Sequence, residues 1–459
     1  MEVGKSHRLS SAKWQTFHDF LFDFIQVIFD QRWMTYQLNL LKSQQHLLVS
    51  WIQQGQCFIK AHGSMSGSIR SSPISGSLLG LIDLSYSLYI VEHNYGIPAL
   101  VKKRLLDNSQ FLGALYEMWI ASSMIQAGFE IEFENESDSS IKHCEFTAYY
   151  PSTGRYFSVE AKRRIPNDQP ENIGRPLKKA LLKDVKYTRL IAIEANVAQA
   201  NNIDERHQII QKVLAGLRRR EEVAPFADRD ADPAYVIVTN SPYQHHPDAE
   251  ISRWAIAEGY KIPDFKSGVG FASVRNMVEA RDKHIEIFDL TQSMSSRSIA
   301  PSTFDGEIPT LVFGDCHARL LIGNWYLVPS SDGTTIPCQL ESACIAETEA
   351  VCFMRDPNGH NRIFTCPLTE SELAAYEAYP ETFFGEINNG GNAHDPLDIY
   401  DFILNSYSHN TKEHLLKLMQ DHPLVDSFKL LPQPAVARIY AEWITEGTIA
   451  QGMFADQIS

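Results

Sequence analysis

The stretch EFTAYYPSTGRYFSVEAKRR, residues 145–164, decides the reading of the fold. Its two halves alternate with period two, as half-buried strands do. Between them, Pro151-Ser152-Thr153-Gly154-Arg155 carries the Pro and Gly of a hairpin turn. A hairpin makes the two strands antiparallel neighbours. On the second strand, period two places Ser158, Glu160 and Lys162 on one face, with Val159 and Ala161 on the other. Glu145 opens the first strand, so the Glu145 and Glu160 carboxylates are expected to converge near one end of the sheet. Convergent carboxylates make an oxygen-rich site for Mg²⁺ or Mn²⁺. A neighbouring lysine can position or activate water, or offset phosphate charge. An acid-x-Lys tripeptide alone describes an exposed strand edge equally well. The weight lies in the order of elements around it.

Upstream, FLGALYEMWIASSMIQAG (111–128) holds a single charged residue, Glu117, on a helix apolar nearly all round. A carboxylate on a buried helix needs a cation, a metal or hydrogen-bond donors. Taken alone, Glu117 reads as an Arg partner or a helix-edge residue. Beside Glu145 and Glu160 it becomes a third candidate ligand. Another alternating strand, FEIEFE (129–134), follows the helix. Downstream, residues 160–189 hold nine Lys or Arg and four acids, a local surplus of +5 in a chain of −15. The segment 176–187 reads as a basic helix, suited to a phosphate backbone or, more blandly, to a solvated face. Apolar strands RLIAIEA (189–195) and AYVIVTN (234–240) then flank a helix at 204–220. Continuous apolar strands separated by helices indicate an α/β sheet covered on both faces.

This order (helix with a lone acid, strand with an acid, hairpin, strand with acid-x-Lys, basic helix) resembles the PD-(D/E)xK nuclease superfamily over residues 105–245. The resemblance implies a restriction-endonuclease-like central sheet flanked by helices. It implies hydrolysis of phosphodiester bonds with Mg²⁺ or Mn²⁺, in DNA more than RNA. Glu117, Glu145 and Glu160 would bind the metal, and Lys162 would assist the attacking water. Arg163, Arg164, Lys178, Lys179 and Lys183 would meet the nucleic acid. Cys144-Glu145 stands where the family has Pro-Asp, a departure that favours the rival expectation of a catalytically degenerate, nucleic-acid-binding or protein-interaction module. Restriction, phage defence and DNA repair are the implied settings.

The remaining chain frames that core. The expected division is an N-terminal helical region (1–100), the nuclease-like core (101–290), a small β-rich module (305–387) and a C-terminal helical region (388–459). Residues 63–77 are Gly/Ser-rich, a connector or mobile loop. Residues 320–354 have strand character and suggest a small barrel or curled sheet. Its Trp325, Tyr326, Phe353 and Phe364 could stack bases but more simply pack a core. His245-His246 could line the site. The 459 residues, 44% hydrophobic and 21% charged, exclude whole-chain disorder, collagen and coiled coil. No signal peptide or membrane span is expected, since the apolar run 78–91 is short and broken by Asp83. Seven cysteines without a CxxC pair read as reduced, mostly core thiols in a cytoplasmic protein rather than a zinc site. A protein partner for the C-terminal modules and self-association both stay open.

Overall fold

The computed structural model describes residues 2–4, 7–11, 14, 17–62, 74–134, 144–166, 169–222, 232–243, 247, 251, 253–267, 273–294, 300, 320, 322, 325–329, 335–378, 383, 396–408 and 410–450. They divide into two compact units, 1–263 with 289–387, and 264–288 with 388–459.

The first unit begins with a two-stranded ribbon, β1 (Glu2–Val3) and β2 (His7–Arg8). Six helices follow: α1 (Phe17–Ile28), α2 (Gln31–Leu38), α3 (Leu47–His62), α4 (Gly76–Asn94), α5 (Ala99–Leu106) and α6 (Phe111–Gln126). α1 buries Phe17, Phe20, Leu21, Phe24 and Ile25, an apolar stripe of helical period. α4 is started by Ser75, whose hydroxyl accepts from Leu78 N. Gly80 is required here, because a Cβ would meet the Trp51 ring at 2.9 Å.

The central sheet has the order β3-β4-β5-β6-β7-β8, formed by Glu130–Phe133, Phe146–Tyr150, Arg155–Arg163, Thr188–Glu194, Ala234–Asn240 and Trp254–Tyr260. β5, β6 and β7 run parallel, and the outer pairings are antiparallel. The β4–β5 hairpin forms as the sequence implies, with Gly154 at φ +69°, a conformation that favours glycine. Helices α7 (Gly174–Leu181) and α8 (Ile203–Glu222) make the parallel crossovers. Leu177, Leu181, Val213 and Leu217 pack with Ile191, Ile193, Val236 and Val238 on one face of the sheet. Each such fully buried side chain contributes roughly 1.5–3 kcal/mol. The other face meets α6, where Tyr116 Oη lies 3.0 Å from Thr239 Oγ1. The architecture is thus α/β with a mixed six-stranded sheet. β8 was not anticipated: WAIAEGY carries Glu258 and Gly259, which break a clean apolar pattern.

Residues after α9 (Val274–Lys283) and α10 (Ile285–Gln292) form a four-stranded antiparallel sheet in the order β12-β11-β10-β9. Its strands are β9 (Trp325–Pro329), β10 (Thr335–Ala346), β11 (Glu349–Arg355) and β12 (Asn361–Pro367), followed by α11 (Glu370–Ala378). Tyr326 and Phe364 pack against its core of Cys338, Leu340, Ala350, Cys352 and Met354, while Trp325 and Phe353 are exposed. In the second unit, α9 packs with α12 (Pro396–Tyr407) and α15 (Gln433–Ala450) through Val274, Val278, Leu397, Tyr400 and Ala441. α13 (Lys412–Leu418) and α14 (Val425–Phe428) complete a neighbouring cluster through Leu415 and Phe428. Residues 264–288, assigned to the core from sequence, therefore fold with the C-terminal helices. Among the described residues, no helix is long and apolar enough to cross a membrane.

Candidate active site

Strand alternation delivers the charged cluster. In the β5–β6 register Glu160 pairs with Ile191 and Lys162 with Ile193, so both side chains project toward the α7/α8 face. Glu145 lies one residue before β4, yet its N–H donates to Val159 O at 2.9 Å and extends the ladder. By parity with Thr147 and Tyr149 it shares that face. The two carboxylates meet at one ammonium. Lys162 Nζ lies 2.8 Å from Glu145 Oε1 and also pairs with Glu160 Oε1. Lys183, just beyond α7, pairs with Glu160 Oε2 at 2.7 Å.

Glu160 is 3% exposed. Burial pushes its carboxyl upward, Lys162 pulls it down, Glu145 pushes it up again and Lys183 offsets that; the net direction is upward. For Lys162, burial lowers the affinity for the proton, but Glu145 and Glu160 outweigh it and the net shift is upward. Lys162 is therefore a protonated hydrogen-bond donor, not a free base. It also bridges two carboxylates, so its head group is firmly held. Removing it leaves adjacent acids facing each other, which is a costly change.

The other predicted residues have separate fates. Glu117 is buried on α6 and held by Arg104 of α5, with contacts of 2.8 and 3.0 Å. It takes the Arg-partner role, and among the described residues no three His, Cys, Asp or Glu side chains gather as a metal-holding group. Arg163 alternates to the opposite face, where it lines a small cavity with Tyr116, Glu194, Ser241 and Tyr243. Arg164 is buried and staples the following loop, donating to Gln169 O at 2.9 Å and Pro170 O at 3.3 Å. Lys183 is engaged by Glu160, whereas Lys178 and Lys179 are exposed on α7. Cys144 is buried; burial and then the nearby Glu134 and Glu160 raise its thiol to about 11, so it stays protonated. His245-His246 lie outside the described residues.

Sequence reasoning missed the roles of three further acids. Glu134 accepts from Thr147 Oγ1 at 3.2 Å beside Cys144. Glu194 ends β6 fully buried, taking hydrogen bonds from Thr239 Oγ1 (2.7 Å), Ser241 N (2.8 Å) and Asn196 N (3.2 Å). Asp83 is held by Arg253 at 2.7 Å and by the Tyr243 hydroxyl. A lone acid inside an apolar strand or helix is the signal common to Glu194 and Asp83.

Two carboxylates that share one ammonium could hold a divalent ion in its place. Mg²⁺ commonly takes one or two protein carboxylates and completes its shell with water and phosphate oxygens. Glu145 and Glu160 thus fit such an ion, provided Lys162 turns aside. Comparison with known proteins adds no relative: no family model, curated protein or solved structure matches the chain.

Proposed function

We propose that the chain is a metal-dependent nuclease with a restriction-endonuclease-like core, hydrolysing phosphodiester bonds in nucleic acid, DNA ahead of RNA. The carrying observation is the convergence of Glu145 and Glu160 on Lys162 Nζ at the end of the β4–β5 hairpin. Glu145 and Glu160 would hold Mg²⁺ or Mn²⁺. When bound, the ion would polarise a phosphoryl oxygen and acidify its water. Lys183 pulls against the burial that raises the Glu160 carboxyl and holds its Oε2. Lys162, protonated, swings from the carboxylates toward the phosphate and donates where negative charge develops. Exposed Arg175, Lys178 and Lys179 on α7 supply backbone contacts. Glu117 stays with Arg104 and supports the site only through helix packing. Restriction, phage defence or repair in the cytoplasm is the setting of this reading.

A second reading has its own support. Glu145 and Glu160 are matched by Lys162 and Lys183, a charge-balanced set that needs no metal. This is what a nuclease fold retained for binding would hold. Plasmid, linear duplex, single-stranded DNA and RNA incubated with Mg²⁺ or Mn²⁺ separate the two. Cleavage that disappears in Glu160→Ala supports the nuclease. No cleavage of any substrate, with no metal-induced rise in Tm, gives the second reading the ground.

A further inference from the structure

The N-terminal helices form a partly open cavity of about 340 Å³. Each of four helices contributes two apolar side chains to its wall, among them Ile25 of α1, Met34 of α2, Ile52 of α3 and Leu78 of α4. Small-molecule pockets occupy roughly 300–1,000 Å³ and are mostly apolar with a few placed polar groups. Here those groups are the amides of Gln26, Gln31 and Gln56 and the Thr35 hydroxyl. No lining residue carries a charge. A phosphate, carboxylate or ammonium entering would lose its hydration with no opposite charge to offset it. The cavity is therefore unsuited to a nucleotide and is separate in chemistry from the Glu145–Glu160 cluster.

The wall contributed by α2 is loosely set. None of its eight residues is buried, and Tyr36 and Leu38 are 62% and 54% exposed. The opposite wall is firm: Gly55 of α3 brings Leu78 of α4 so close that a Cβ would sit 3.3 Å from Leu78 Cδ1. A rigid floor under a weakly anchored helix lets a ligand enter by displacing one element. The chain itself offers a poor plug, because residues 63–73, next in sequence after α3, are almost all small or polar.

We propose that this cavity binds a neutral, largely apolar small molecule oriented by the rim amides. The inference does not rest on the nuclease reading. Its test uses the full chain and the neutral fluorophore N-phenyl-1-naphthylamine. Fluorescence should rise saturably at one site per chain, and Tm should rise with probe concentration by mass action. Ile52→Trp fills the cavity, and Met34→Glu places a charge on its outer wall. Each should weaken binding by about tenfold or more. The anionic relative 8-anilinonaphthalene-1-sulfonate should bind the parent at least about tenfold more weakly than the neutral probe. Unsaturable binding by a parent with a cooperative melt overturns the proposal. So does parent-like affinity in a variant that melts cooperatively. Equal affinity for the anionic probe overturns the neutral class. Self-association of the parent that Ile52→Trp abolishes would assign the cavity to a second copy instead. Should Ile52→Trp fail to fold, Met34→Glu on the outer helix decides the same question.

Discussion

Glu160 and Glu194 sit on adjacent parallel strands, are 3% and 2% exposed, and face opposite sides of the sheet. Burial raises both carboxyls above their ordinary range as the leading cause. The means of satisfying them differ. Glu160 is held by two ammonium groups on flexible stems. Glu194 is held by two backbone N–H groups and a threonine hydroxyl, with Arg163 as the nearby charge. An ammonium can be exchanged for another cation without unfolding anything. Backbone donors cannot move without breaking the ends of β6 and β7. A buried acid thus marks an exchangeable site only when its counter-charges are mobile.

The largest effect that tests this contrast is on cleavage. On the proposed nuclease reading, Glu160→Ala should lower it by on the order of 100-fold or more, because the ligand lost would act where charge develops. The same variant should lose the Mg²⁺-induced rise in Tm. Lys162→Ala should also abolish cleavage but should enlarge that Tm rise, since the ion no longer competes with an ammonium for Glu145 and Glu160. Parent-like cleavage in both variants would end the assignment. An unchanged or smaller metal response in Lys162→Ala would show that Glu160 is no more exchangeable than Glu194.

Glu194→Ala should do the reverse. It strips the acceptor from three donors, so stability should fall by about 3 kcal/mol, read from denaturant unfolding. The folded fraction should keep its metal response. A loss below about 0.5 kcal/mol would mean that water replaces the carboxylate freely.

A weaker effect comes from His46, which borders the helical region rather than the sheet. Its Nδ1 accepts from Leu48 N at 3.2 Å, and its ring lies between Trp33 and Phe111. Burial lowers its pKa to about 4, against an opposing pull from Asp107. Between the unfolded value near 6.5 and about 4, the unfolded chain binds more protons than the folded one. Stability from this group is therefore complete above pH 6.5 and declines as pH falls toward 4. The loss at pH 5 should be on the order of 1 kcal/mol, a few degrees of Tm, after allowance for screening. His46→Gln should flatten that part of the Tm–pH curve; an identical slope in the variant would assign the acid sensitivity elsewhere.

The hairpin and its charged face were legible because period two and a Pro–Gly turn are local signals. The parallel strands were legible because both are continuous apolar runs. Glu117 was not, because its fate depends on Arg104, one helix upstream, and a lone acid on an apolar helix fits a metal or an arginine equally well. Arg163 and Arg164 were misplaced for a related reason. A basic run read as one patch is split by strand alternation, which sends Lys162 and Arg163 to opposite faces. The Asp83–Arg253 pair spans 170 positions, beyond any local pattern. The cavity between α1 and α4 leaves no mark in sequence, since a wall residue and a core residue share the same apolar periodicity.

The smallest expected effect concerns the exposed cations of α7. Lys178 and Lys179 lie on the solvent side of α7, whose other side is buried through Leu177 and Leu181. Neutralising exposed helix residues should leave folding within about 0.5 kcal/mol of the parent. If both lysines meet phosphates, Lys178→Gln/Lys179→Gln should weaken binding to all duplex sequences alike. The slope of log affinity against log salt should shrink by about 0.9 for each lost contact. Lys183→Gln should behave differently, because its ammonium is already engaged by Glu160. It should leave the salt slope nearly unchanged while altering the metal response of the carboxylates. Equal slope changes from Lys183 and from the α7 pair would place Lys183 on the phosphate backbone and return Glu160 to a single counter-charge.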